Sequence, residues 1–95
     1  MSKASVRASI ETVKGDIARK KNDIATIRSR KKETIARCSA NIKNASDKST
    51  KDRYRREKAS LTAQFESQIR TQQASLSSLQ TRLASLRAQL AREKS

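Results

Sequence analysis

Proline, histidine and tryptophan are missing from this 95-residue chain, and glycine, cysteine, tyrosine and phenylalanine occur once each. Each gap excludes something. Without Pro, and with Gly15 alone, the usual punctuation of turns and strands is lacking, and no Gly-rich loop exists to cradle a phosphate. Without His, imidazole acid–base catalysis has no carrier and zinc loses its commonest nitrogen ligand. Cys38 has no second cysteine to pair with, which fits a reducing compartment. No run of apolar residues approaches the ~18–20 that a membrane span needs, and the N-terminus has no apolar stretch of signal-peptide type. These features lead us to expect a cytoplasmic protein with no membrane span.

Large apolar side chains are scarce as well. Hydrophobic residues make up 34% of the chain and aromatics 2%, too little for a wide globular core, so the choice lies between disorder and one narrow buried stripe. Ala, Arg, Lys, Gln, Glu and Leu favour helix. The 14 Ser and 7 Thr compete for backbone hydrogen bonds and weaken an isolated helix. Helical stability must then come from packing along one face.

That face is readable. Val6, Ile10, Val13, Ile17, Ile24 and Ile27 follow each other in steps of four and three, with Lys20 at the remaining heptad position, the signature of a coiled coil. Ile35, Cys38 and Ile42 continue the stripe after a four-plus-four step through Lys31, a stutter that locally unwinds a supercoil. Downstream, Tyr54, Lys58, Leu61, Phe65, Ile69, Gln72, Leu76, Leu79, Leu83, Leu86 and Leu90 form a second stripe with its own stutter at Phe65. From Ile42 to Tyr54 a continuous helix would swing the stripe by ~120° and lose it.

Folding the chain about Lys48 reconciles the two stripes. In an antiparallel pair of equal rise, residues at one level have a constant index sum. A sum of 96 sets Val6 against Leu90, Ile17 against Leu79, Ile35 against Leu61 and Ile42 against Tyr54, and places the two stutters, Lys31 and Phe65, at one level. The expected fold is all-α: an antiparallel two-helix coiled-coil hairpin. A single domain spans 1–95, with helix 1 over about 4–45, a turn at about 46–50 and helix 2 over about 51–93. Ser46, Asp47 or Ser49 can cap the second helix, and Ser49-x-x-Asp52 approximates a capping box. The rival arrangement is one uninterrupted helix of about 90 residues in a parallel oligomer.

Four layers of the expected seam carry a polar side chain: Lys20 with Leu76, Ile24 with Gln72, Lys31 with Phe65, and Cys38 with Lys58. Such layers cost stability but can fix register and oligomer state, and a lysine can bury its stem while its ammonium stays wet. Ala18 and Ala25, with Ala84, Ala88 and Ala91, lie beside the seam. Small residues there let helices approach closely, offering a route from two hairpins to a four-helix bundle.

The remaining feature is charge: 23 Lys and Arg against 9 Asp and Glu, a formal net charge of +14. It is spread over both halves and attracts polyanions generally. Candidate polyanion-binding residues are Arg19, Lys21, Arg28, Arg30, Lys32, Lys51, Arg53, Arg55 and Arg56; the hairpin brings part of the first group near the second, so its turn-proximal half is strongly cationic. Aromatic platforms and base-reading motifs are missing, so any nucleic-acid binding would follow phosphates without sequence preference. In size and hairpin form the chain resembles small helical-hairpin secretion substrates, although their Trp-x-Gly turn is absent. The basic coiled coil also resembles stalk proteins of flagellar-type export ATPases; neither likeness transfers a functional residue. The reading is a non-enzymatic adaptor, with no catalytic, metal or cofactor site and no small-molecule ligand. Its expected partner is a further copy or a larger protein. The competing reading is a basic accessory protein on nucleic acid.

Overall fold

A computed structural model of the chain describes residues 2–93; Met1, Lys94 and Ser95, the ends of the expected domain, lie outside the described residues. Two helices account for nearly all of it, α1 over Lys3–Asn44 and α2 over Lys48–Arg92. The fold is an all-α helical hairpin. The N-terminal part of α1 packs with the C-terminal part of α2, and the parts that flank the turn pack with each other, which makes the pair antiparallel.

Helix ends follow from local chemistry. At the start of α1 the Ser5 amide donates to Ser2 Oγ at 3.2 Å and the Val6 amide to the Ser2 carbonyl at 3.0 Å, so Ser2 is the N-cap. The turn is short: Ala45, Ser46 and Asp47 alone separate the helices. The Ala45 amide closes the last turn of α1 on the Asn41 carbonyl. Asp47 begins α2, its Oδ2 accepting from the Thr50 amide at 3.2 Å and its carbonyl from the Lys51 amide at 3.1 Å. Of the three candidate caps Asp47 is therefore the one used. As a result α2 starts at Lys48, ahead of the expected position 51. Ser49 lies inside the helix, and Asp52 pairs with Arg55 at 3.1 Å rather than closing a capping box. An anionic cap suits this end, where Lys48 and Lys51 stand unfavourably against the positive pole of the helix dipole.

Helix-to-helix packing divides the hairpin into two compact units. The terminal unit joins the stretch up to Asp23 with the stretch from Gln72 onward; the turn unit is Ile24–Thr71. A two-helix pair has no central core that every residue can reach. Each layer touches only its neighbours.

In the terminal unit Val6, Ile10, Val13, Ile17 and Leu86 form a buried cluster, with Leu76, Leu79, Leu83 and Leu90 packed against it and half-buried. Val6 is fully enclosed and Val13 is 3% exposed. In the turn unit Ile24 and Cys38 are buried. Its other apolar seam residues, Ile27, Ile35, Ile42, Tyr54, Leu61, Phe65 and Ile69, are half-buried, like the four partly covered leucines of the terminal unit.

Candidate interaction surfaces

The polar seam residues show how each unit manages its gaps. Lys20, half-buried, donates to Gln72 Oε1 at 2.8 Å. Gln72 lies one helical turn from the level of Leu76, the expected partner. A lysine stem is long enough to lean along the helix until its ammonium finds an acceptor. In the turn unit Lys31 reaches Glu66 at 3.5 Å, with both side chains partly in water. The lysine at the stutter is thus held by the carboxylate next to Phe65. The cation–ring contact of this unit lies elsewhere, with the Arg53 guanidinium 5.2 Å from the centroid of the Tyr54 ring.

Around the half-exposed seam of the turn unit run two open grooves. One, of about 600 Å³, is lined by Ile42, Lys58, Ala59 and Ala63 with Arg55 and Glu66 on its edge. The other, of about 490 Å³, has Ile35, Ala36 and Ile69 as its floor and Arg28, Lys31 and Lys32 around it. The terminal unit has a groove of about 650 Å³, but the residues that line it are mostly polar or charged, Asp16, Arg19, Lys20, Asp23, Ser75 and Arg82 among them. Ala18, Ala84, Ala88 and Ala91 in the terminal unit, and Ala25 in the turn unit, are exposed.

The basic candidates lie on the surface. Arg19, Lys21, Arg28, Arg30, Lys32, Arg53, Arg55 and Arg56 are exposed, whereas Lys51 is half-buried in the first turn of α2. Arg19 pairs with Asp16, and Arg55 with Asp52, each one turn away on its own helix. Arg19 and Lys21 belong to the terminal unit and the other seven to the turn unit. The turn unit holds thirteen Lys and Arg against five Asp and Glu, a dense positive field.

The Asp47 carboxyl is held below its ordinary value, chiefly by the hydrogen bonds it accepts from Thr50. That is a capping effect and implies no catalytic role. Among the described residues no group of three His, Cys, Asp or Glu side chains is placed to hold a metal ion. Among those same residues no helix is long and apolar enough to cross a membrane. The two grooves are additional to the seam and the cations read from the sequence. Their signal is present in the chain: Ala36, Ala59 and Ala63 beside seam positions leave space that longer side chains would fill. No protein family, curated protein or solved structure that was compared matches the chain.

Proposed function

We propose that the protein is a non-enzymatic coiled-coil adaptor, whose turn unit packs against a helix of another polypeptide. One observation carries the reading. Seven of the nine apolar seam residues of the turn unit are only partly buried, whereas five of the nine in the terminal unit form a buried cluster. Contiguous apolar surface of this kind marks an interaction site more often than a solvated face. A third helix laid along the seam would enclose Ile35, Ile42 and Ile69 as the Leu ladder encloses Val13.

Crosslinking with light scattering, and a pull-down from the native host with and without nuclease, test this reading. We expect a nuclease-resistant protein complex or a defined oligomer. A chain that stays monomeric and recovers no protein would remove the idea.

A second reading has its own support in the eight exposed cations named above: a polyanion-binding accessory that follows nucleic-acid phosphates. Its mark is affinity for duplex and single strands that falls steeply with salt. No binding at ~50 mM salt would dispose of it.

A further inference from the structure

Both grooves of the turn unit use the same side of the seam. Arg28, Lys32 and Ala36 on α1, and Arg55, Ala59 and Glu66 on α2, each stand one position after a seam residue and line a groove. Right-handed helices running in opposite directions turn these following positions toward one face of the pair. The opposite face is built from the preceding positions, such as Thr34, Arg37, Asn41, Glu57, Ser60 and Gln64, all of them polar. The two faces therefore differ in kind: one is a polar surface, the other an apolar trough with small residues on its banks.

Charge then selects the occupant. Following positions on the trough side supply Arg28, Lys32, Lys43, Arg55 and Arg70 against the single acid Glu66, and Glu66 is already engaged by Lys31. Arg55 is likewise paired with Asp52, so a second copy laid face to face would set four unpaired cations against four with no free carboxylate between them. Nucleic acid would meet the cations but leave Ile35, Ile42 and Ile69 unfilled.

We infer that this face receives an acidic amphipathic helix, with an apolar stripe for the trough and Glu or Asp on both flanks for the arginines and lysines. Apolar contact supplies the affinity of a helix-in-groove complex, and the flanking charges choose the partner and speed its arrival. The inference rests on the adaptor reading and gives the partner its chemistry.

The test uses the full chain and three synthetic peptides of about 21 residues, six turns of helix, read by fluorescence anisotropy. The first carries Leu at heptad seam positions with Glu on the flanks; the second has Lys on the flanks; the third is the first with its order scrambled. The wild-type chain should bind the first, at least tenfold more tightly than either control. Ala59→Lys adds a cation while filling the trough, and Lys is a good helix former at this exposed site, so the variant keeps its fold. It should bind the acidic helix at least tenfold more weakly, although its charge has risen.

Equal binding of the scrambled peptide, unchanged in Ala59→Lys, would show that charge alone acts. That outcome overturns the inference and, if duplex DNA binds alike, the adaptor reading with it. A wild-type dimer that Ala59→Lys dissociates in sedimentation would make the occupant a second copy; the inference then fails while the adaptor reading stands. A monomer that binds none of the peptides also overturns the inference.

Discussion

The terminal unit and the turn unit share one motif, two antiparallel helices meeting on a heptad stripe, yet they close it differently. In the terminal unit β-branched residues of α1 (Val6, Ile10, Val13, Ile17) meet a run of leucines from α2 around a buried cluster, and its seam lysine, Lys20, is bonded to Gln72. In the turn unit lysines take seam positions at 31 and 58, the aromatics Tyr54 and Phe65 remain half-exposed, and only Ile24 and Cys38 are buried. The lesson concerns partners. A two-helix pair can seal its own seam only where every layer contributes a large apolar side chain from both helices. One lysine per few layers keeps water beside its neighbours. What is lost in self-sufficiency becomes surface that another helix can use.

The largest expected effect breaks that contrast at its core. Leu86→Ala removes a buried side chain of the terminal cluster and should cost about 2–4 kcal/mol. Ile35→Ala, in the turn unit, removes a half-exposed one and should cost about 1 kcal/mol. Urea unfolding followed by circular dichroism measures both, and equal losses would mean that the two units are equally packed. Hydrogen exchange should report the same asymmetry, with amides near Val13 better protected than those near Ile35.

A smaller effect separates the two lysine contacts. Lys20→Met leaves the half-buried Gln72 without its donor and should cost about 0.5–1.5 kcal/mol. Lys31→Met breaks a partly exposed ion pair with Glu66 and should change stability by less than about 0.5 kcal/mol. Thermal unfolding at low and high salt checks the pair, since only the second contact is an ion pair open to screening.

The smallest effect lies at the turn. Hydrogen bonds from Thr50 hold the Asp47 carboxyl below its ordinary value. Its contribution is therefore complete above the unfolded-state value and is lost as pH falls through the lower folded-state value. Asp47→Asn keeps a capping oxygen but carries no charge. The wild type should lead this variant slightly at neutral pH, and the lead should vanish in acid. A gap that persists unchanged in acid would show that the charge of Asp47 contributes nothing.

Much of the fold was legible because a heptad stripe is a one-dimensional signal. The step pattern of Val6 to Ile27 and of Ile69 to Leu90 determines which faces meet, and two stripes of matched length allow one hairpin register. Exposure was not legible in the same way. Ile10 and Ile35 occupy equivalent seam positions, yet one is enclosed and the other half-exposed, because enclosure depends on the side chains across and beside them. The direction in which Lys20 leans depends on which acceptor is in reach, a three-dimensional question. The choice of Asp47 over Ser46 and Ser49 depends on a backbone path of three residues that several caps could have served. The surface cations were legible as a group because charged residues away from a seam have nowhere else to go. The trough was hidden because Ala36, Ala59 and Ala63 look alike whether they are helix-forming filler or the bank of a groove.

The three-residue turn also has a kinetic consequence. Its capping bond joins residues 3 apart in sequence, whereas the Lys20–Gln72 bond joins residues 52 apart. Chain closure makes the near contacts quickest to form, although each doubling of a loop adds only about 0.6 kcal/mol. The hairpin would thus zip outward from its loosest layers, and its tightest layers would lock last. Stopped-flow measurements should then find Ile35→Ala slowing folding and Leu86→Ala mainly hastening unfolding. The reverse assignment would place the nucleus among the leucines at the chain ends.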